Sequence, residues 1–177
     1  MKSLVDRLAS YAEYHRDKRN IATHFVGIPM ILVGTQGALA KVGIGPINLA
    51  VGATALATKY YRALDPAYGN AMGTVLGATA AIGSMIGAMP VPIWAGTCAT
   101  LFVGGWALQF LGHYFEGRKP AFLDDIKGLL DGPLFLVAEV AFALGLSPEL
   151  RDEVERRAGP TRWGKLDAVP DLARAQA

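Results

Sequence analysis

Three histidines and one glutamate have the residue types and the spacing for metal chemistry. His15 and His24 flank the basic part of YHRDKRNIATHFVGIP (14–29), and His113 lies three residues before Glu116 in GHYFEG. Residues three apart share a helix face, so the last two side chains are expected to project together. Histidine is the commonest metal ligand, and imidazoles with a carboxylate form the ligand set of non-haem Fe(II) oxygenases. Structural zinc is less favoured, because the chain has a single cysteine and such sites use thiolates.

Each of these residues also has a plainer explanation. His15 alone would suit a hydrogen-bonded histidine at a membrane surface, and Glu116 would suit a solvated charge at a helix end, paired with Arg118 or Lys119. Glu139 is isolated in the apolar segment GPLFLVAEVAFALGL, where a carboxylate is costly unless it is paired or hydrated. It is therefore a candidate for a group that hydrogen-bonds to the metal ligands without binding the metal. Otherwise it is the water-facing residue of an amphipathic helix.

Long runs without charged residues indicate the elements that must position these side chains. No Asp, Glu, Lys or Arg occurs in residues 20–40, 42–58 or 66–115. A helix needs about 20 apolar residues to cross the hydrocarbon core of a bilayer, and the third run is long enough for two helices. We therefore predict an all-α fold, a polytopic membrane bundle of about four transmembrane helices. Their predicted bounds are 21–40, 43–60, 68–88 and 93–112.

Glycines at every fourth position predict close helix packing in the third span. Gly69, Gly73 and Gly77 form one ridge, and Gly83 with Gly87 repeats the spacing. Small residues in such ridges let helices approach closely in lipid. In a soluble helix the same glycines would be unfavourable, since each costs about 1 kcal/mol relative to alanine.

Composition and charge favour a membrane location and exclude nucleic acid as a partner. Hydrophobic residues make up 52% of the chain and charged residues 18%, with a net charge of +2, whereas soluble domains carry about 25% charged residues. Lys and Arg residues flank one side of the predicted bundle, with Lys41 alone on the other, and such residues favour the cytoplasmic side. We expect a multi-pass integral membrane protein with both termini in the cytoplasm. A bacterial inner membrane or the endoplasmic reticulum would be its location.

The N-terminal segment predicts an amphipathic helix at the membrane surface, and this helix carries the first histidine. Its apolar face is formed by Leu4, Leu8, Tyr11 and His15. On one continuous helix His15 and His24 would point to opposite sides, so a break within RDKRN (16–20) is required to bring them together. His113 follows two further predicted crossings and returns to the same cytoplasmic level.

The C-terminal third predicts a further helix and a tail. The apolar segment around Glu139 is short for a span and is expected to be a membrane-associated helix at the cytoplasmic end of the bundle. Residues 1–147 would then form the membrane-embedded catalytic bundle. Residues 148–177 would form a soluble cytoplasmic tail in which no chemistry is expected.

The block around the first two histidines resembles a known family. The pattern Tyr-x-x-x-His-x-x-x-x-Asn-x-x-x-His-x-x-Gly-x-Pro is matched by Tyr11, His15, Asn20, His24, Gly27 and Pro29. GHYFEGRKPAF and GPLFLVAEV are similar to later blocks of that family, which is the 2-hydroxy fatty acid dioxygenases of fungal α-oxidation. The resemblance implies a membrane-embedded, Fe(II)-dependent enzyme that uses O2 to shorten a 2-hydroxy fatty acid by one carbon.

The resemblance also implies a set of site residues and partners. His15, His24 and His113 would bind the iron, with Glu116 as a further candidate ligand. The candidate catalytic residues in the matching blocks are Tyr11, Asn20, Glu116 and Glu139. The partners would be the 2-hydroxy fatty acid, O2 and membrane lipid, with a homo-oligomer left open. No nucleotide is expected, because the Gly-rich segments do not have the form GxGxxG or GxxxxGK[ST].

Two other function classes compete with this interpretation. One is a non-enzymatic membrane scaffold or transporter whose histidines form a proton-sensitive cluster at the interface. The other is an acyl hydroxylase or desaturase with two irons, for which three histidines are few. Metal content after purification distinguishes the first from an iron enzyme.

Overall fold

The computed structural model of the chain describes residues 3–44 and 47–164, and the structure is mostly helical. Seven α-helices lie within the described residues, and 79% of the structure is helical, which confirms the all-α prediction. In chain order the helices are α1 (Leu4–Ala12), α2 (Lys18–Ala40), α3 (Leu49–Leu64), α4 (Pro66–Gly87), α5 (Val91–Glu116), α6 (Gly128–Ala143) and α7 (Pro148–Ala158). Residues 165–177 of the predicted tail lie outside the described part.

Two of these helices, α2 and α5, are long and apolar enough to cross a membrane. They correspond to the first and fourth predicted spans, and their 23 and 26 residues give lengths of about 34 and 39 Å against a hydrocarbon core of about 30 Å. Helices α6 and α7 meet the same criteria only as a pair, and that pair is bent by 119°. The structure is therefore compatible with membrane association.

The second and third predicted spans form helices, but neither meets both criteria for a crossing. A short antiparallel hairpin, β1 (Gly43–Ile44) with β2 (Ile47–Asn48), replaces the start of the second predicted span. Gly43 in β1 adopts φ +152°, and the Asn48 side chain caps α3 by accepting a hydrogen bond from the amide of Val51. Helix α3 consequently has only 16 residues. Helix α4 has 22 residues, but its glycines and Asn70 lower its hydropathy.

Helices α2 and α5 form the closest helix pair around the site, and they run antiparallel. A Cβ atom at Gly105 would lie 2.7 Å from the carbonyl oxygen of Gly27, and one at Gly34 would lie 3.1 Å from the carbonyl oxygen of Cys98. Contacts at these distances are possible only without side chains, so glycine allows the two backbones to meet. The antiparallel order places the start of α2 beside the end of α5.

The predicted glycine ridge on α4 packs against two neighbouring helices. A Cβ atom at Gly73 would lie 2.8 Å from the Thr58 side chain of α3, and one at Gly83 would lie 2.8 Å from the backbone of Gly37 in α2. Gly77 has nothing within 4 Å. The spacing therefore predicted close packing correctly at the two ends of the ridge and not in its middle.

Helix α1 packs across the start of the bundle, against α6 and α7. Ser3 and Asp6 form a capping box at its beginning, and Leu8 and Tyr11 are buried with Phe135 of α6 in the hydrophobic core. Helix α1 ends at Ala12 and α2 begins at Lys18, so residues 13–17 form a non-helical turn between the two helices. The prediction of a break between the first two histidines is confirmed, although it begins three residues earlier than expected.

Candidate metal centre

The three histidines converge where α1, α2 and α5 meet. His15 lies in the turn after α1, His24 in the second turn of α2 and His113 in the last turn of α5. All three are buried, with 0%, 1% and 6% of their surface exposed. Their ring centroids lie 4.5 to 5.2 Å apart with the ring planes nearly perpendicular. The predicted convergence of these residues is present in the structure.

The ring nitrogens of this group are arranged as ligands for one cation. One nitrogen from each ring lies within 4.8 Å of the other two, and the Nε2 atoms of His15 and His24 are 3.0 Å apart. Nitrogens bound to one ion at about 2.1 Å and at right angles to each other would be separated by about 3.0 Å. The spacing of the first pair therefore fits two adjacent ligands of a single metal.

The protonation of His15 and His24 supports this arrangement. The Nδ1 of His15 donates to the carbonyl oxygen of Tyr11 at 2.8 Å, and the Nδ1 of His24 donates to that of Asn20 at 2.9 Å. A carbonyl oxygen can only accept, so both Nδ1 atoms carry hydrogen and both neutral rings present an Nε2 lone pair. Two lone pairs facing each other at 3.0 Å repel unless a cation lies between them. Hydrogen bonds from Nδ1 to backbone oxygens are also the usual outer support of metal-bound histidine.

Tyr11 fixes the orientation of the His15 ring. The two rings stack with centroids 4.0 Å apart and planes 7° apart. Burial, together with the neighbouring imidazoles, lowers the pKa of His15 well below its usual range. The ring is therefore neutral near pH 7, which is the form that binds metal. Tyr11, predicted as a catalytic residue, lies directly at the group.

Glu116 is fully buried and lies beside the three imidazoles, but the group of ligand atoms among the described residues does not include it. Its carboxylate accepts four hydrogen bonds. The donors are the amides of Arg16 (3.0 Å) and Asp17 (2.7 Å), the Nδ2 of Asn20 (3.1 Å) and the guanidinium of Arg162 (2.9 Å). Because Glu116 lies one turn after His113, these bonds tie the end of α5 to the turn that carries His15.

Asn20 connects the same two parts of the site. Its side-chain amide donates to the carbonyl oxygen of Tyr14 at 3.0 Å and to Glu116, while its backbone oxygen accepts from His24. The residue is fully buried. Asn20 therefore holds the Glu116 carboxylate and the His24 ring in place. It contacts these two groups but is not one of the possible metal ligands.

Glu139 lies on the other side of Arg16 from the imidazoles. Its carboxylate is 3.8 Å from the Arg16 guanidinium and lines a separate polar cavity with Arg151 and Glu155. Burial raises the pKa of Glu139, although the positive charge of Arg16 opposes the shift. Among the residues that the structure describes, Glu139 is therefore connected to the site through Arg16, the residue that follows His15.

A small cavity of about 80 Å³ opens onto the ligand group. His24, His113 and Tyr11 line it on the polar side, and the remaining walls come mostly from α2, α5 and α6. The apolar lining residues include Ile28, Ile31, Leu32, Trp106, Phe122, Leu129 and Pro133. No Lys, Arg, Asp or Glu side chain lines it among the described residues.

Two residues of this site were not predicted from the sequence. Gln109 lines the cavity, is 5% exposed, and its Nε2 atom has no hydrogen-bond partner among the described residues. It lies one turn before His113, so a polar residue on the histidine face of an apolar run was the available signal. Arg162 comes from the segment in which no chemistry was expected, and its approach to Glu116 depends on a contact that the sequence pattern does not show.

Comparisons with known proteins agree with the site. The sequence model of the family described as 2-hydroxy-palmitic acid dioxygenase Mpo1-like matches residues 1–144, which include all three histidines and Glu116. The chain is 30% identical over 155 residues to the 2-hydroxy-palmitic acid dioxygenase MPO1 of Saccharomyces cerevisiae, covering 86% of this chain and 87% of that protein. No solved structure matches the chain. The chain belongs to the Mpo1-like family, in which the named relative is a dioxygenase.

Proposed function

We propose that this protein is an Fe(II)-dependent dioxygenase that shortens a 2-hydroxy fatty acid by one carbon at the His15, His24 and His113 centre. The observation that carries the proposal is the pair of Nε2 lone pairs 3.0 Å apart, each on a ring whose Nδ1 donates to a backbone oxygen. A cation bound between the two nitrogens would remove their repulsion. Three imidazoles without thiolates suit iron better than structural zinc, and the relative's name adds the substrate class.

The proposed reaction balances without a further reductant. A 2-hydroxy acid and O2 give an acid with one carbon fewer, CO2 and water. Carbon 2 changes from an alcohol to a carboxyl carbon and carbon 1 leaves as CO2, and the four electrons released reduce both atoms of O2. When bound, iron would supply the activation of O2 that a side chain cannot provide.

The protein residues would hold and orient the reactants. His15, His24 and His113 would hold the metal, and the Tyr11 ring keeps the first imidazole in one orientation. The substrate carboxylate has no cationic side chain to meet in the cavity, and an unpaired buried carboxylate is costly. The acid would therefore have to bind next to the metal, with the side-chain amide of Gln109 available for a hydrogen bond.

In this proposal Glu116 acts on the position of the ligands and not on the metal itself. Three of its four donors bind Oε2, and Arg162 binds Oε1, so a bond from Oε2 to metal would require some of these to be broken. Glu139 acts one step further away, by pairing with Arg16. Asn20 supports His24 and Glu116 together.

We also propose that α3 and α4 cross the membrane with α2 and α5, so that both termini are cytoplasmic. The start of α2 and the end of α5 lie side by side and so face the same side of the membrane. Two further crossings, by α3 and α4, are compatible with this, because they form an even number between α2 and α5. Lys41, the predicted exception on the far side, donates to the carbonyl oxygens of Gly87 (3.1 Å) and Met89 (2.8 Å) at the end of α4. A cation is favourable at such a helix end, which accounts for its position.

The test is to purify the protein in detergent, load it anaerobically with Fe(II), and measure iron content and O2 consumption with 2-hydroxyhexadecanoate. We expect one iron per chain, one O2 consumed per substrate, and pentadecanoate as the product. His24→Ala and His113→Ala should lose the iron and the O2 consumption. A fold control is the helical content by circular dichroism.

Two results would overturn the proposal. Unchanged iron content in both histidine variants would show that the cluster is not the metal site and would favour a non-enzymatic membrane protein. Iron bound with no substrate-dependent O2 consumption would leave the metal centre intact and refute the reaction.

A further inference from the structure

A second apolar cavity adjoins the metal cavity along α2. It has a volume of about 250 Å³ and lies between α2, α3 and α6, with Leu76 of α4 at its side. Leu32, Leu129 and Pro133 line both cavities, so these residues form the boundary between them. Neither cavity has a charged lining residue among the described residues. The two cavities are therefore adjacent and apolar, and a chain that passes between these three side chains would lead from the histidines into the second cavity.

We propose that this second cavity binds the acyl chain of the substrate and sets its preferred length; the inference rests on the proposed function. The metal cavity, at about 80 Å³, is far below the roughly 300–1,000 Å³ of common small-molecule sites. It has room for the hydroxy acid end and the first few methylene groups. With the second cavity added, the site reaches the lower end of that range.

The length of the path matches a long acyl chain. Gln36 lines the second cavity twelve residues after His24, which is about 18 Å along the helix. An extended acyl chain advances about 1.2 Å per bond, because extended polypeptide advances about 3.6 Å over the three backbone bonds of one residue. A chain of sixteen carbons therefore extends over about the same distance.

The neighbouring cavity on the other side of Tyr11 does not suit this ligand. It is lined by the carboxylates of Glu13, Asp124, Asp125 and Asp131, together with Arg7. Buried methylene groups gain nothing from such walls, and a fatty acid carboxylate would be repelled by the excess of acidic groups. The apolar path along α2 is therefore the one to which we assign the acyl chain.

Two alanines on α3 allow the path to be blocked at different depths. Ala57 and Ala53 both line the second cavity, and they are one helical turn apart. Because α3 follows α2 through a short hairpin and returns toward the metal level, Ala57 is the nearer of the two. Phenylalanine at either position should exclude a chain that reaches it. Ala55 lies between them on the opposite side of the helix and does not line the cavity, so it provides the matched control.

The experiment measures anaerobic binding of 2-hydroxy acids of eight to eighteen carbons to the Fe(II)-loaded protein, and then O2 consumption with the same series. For Ala57→Phe and Ala53→Phe we expect affinity for the sixteen-carbon acid to fall about tenfold or more, in the range of overpacking costs. The eight-carbon acid, about 8 Å long, ends before Leu32 and should bind within about twofold of the wild type. Ala55→Phe should leave the whole profile unchanged.

The two variants should also differ from each other. The longest acid tolerated by Ala57→Phe should be shorter by about five carbons than that tolerated by Ala53→Phe, because four helical residues advance about 6 Å. Equal loss of affinity for all chain lengths, or an unchanged profile, would overturn the acyl-chain site and leave this cavity as a surface for bilayer lipid. Because binding is measured without O2, a protein that binds the series but does not consume O2 refutes the reaction and not the site.

Discussion

Replacement of Glu116 by glutamine should weaken metal binding without removing it. Glutamine keeps the shape of the side chain and one acceptor oxygen. The oxygen can face the three donors of the turn, namely the amides of Arg16 and Asp17 and the Nδ2 of Asn20. Its NH2 group must then face the guanidinium of Arg162, so the bond from that residue is lost.

The magnitude follows from this one lost bond. A hydrogen bond to a charged group contributes about 1.5–3 kcal/mol. The Arg162 side chain is 19% exposed and can turn toward water, so no further penalty for a buried unpaired charge is expected. If the lost bond destabilises the metal-binding arrangement of the histidines by this free energy, affinity for iron decreases by about 10–150-fold. This agrees with the 10–100-fold effect that is typical of groups supporting metal ligands.

The assay is competition for Fe(II) against a chromophoric chelator under anaerobic conditions. Glu153→Gln is the matched control, because its carboxylate pairs with the exposed side chains of Arg156 and Arg157 on α7, away from the histidines; we expect a change of less than about threefold. His24→Ala gives the result for a lost ligand. The reasoning would be refuted if Glu116→Gln bound no iron while remaining folded, since the carboxylate would then be a ligand, or if its affinity equalled that of the wild type.

Two further predictions concern the contact between α2 and α5 and the cavity wall. Gly112→Ala should destabilise the fold by about 1–3 kcal/mol and lower iron affinity, because the added methyl group would overlap the Thr23 hydroxyl and the Oδ1 of Asn20. Thermal unfolding measures the first effect and the chelator assay the second. Gly96→Ala is the control, because a methyl group there meets open space. Gln109→Leu should keep one iron per chain and raise the KM for the 2-hydroxy acid by about tenfold, and an unchanged KM would show that the amide does not contact the substrate.

Local sequence patterns were sufficient to predict that the histidines meet. The three-and-four spacing predicted the buried face of α1 correctly for Leu8 and Tyr11, but it also placed His15 on that helix, whereas the structure has His15 in the turn after it. The requirement for a break before His24 follows from helix geometry alone. The hairpin before α3 was missed because the charge-free run from 42 to 58 hides a turn. In that run the dipeptide Gly45-Pro46 is a local turn signal and Asn48 is a suitable helix cap, but the absence of charged residues was given more weight than either.

The surroundings of Glu116 could not be predicted in the same way. Its donors lie 46 to 100 residues away in the chain, and no periodicity connects them. A carboxylate three residues after a histidine has the spacing of a metal ligand and also the spacing of a group that only holds the ligands in place. The sequence alone therefore does not distinguish these two roles for Glu116. The backbone amides of Arg16 and Asp17 that occupy the carboxylate become visible only when the turn is built.

The ion pair between Arg162 and Glu116 has a consequence for biosynthesis. Of the residues that surround the histidines, Arg162 is translated last, and the segment around it also pairs with the first turn of α2 through the Asp17 to Arg162 bridge. While the ribosome still covers this segment, the buried carboxylate lacks the Arg162 guanidinium. A metal at the histidines would therefore be held with full support only after Arg162 has left the ribosome and paired with Glu116, which joins two parts of the chain that are made at different times.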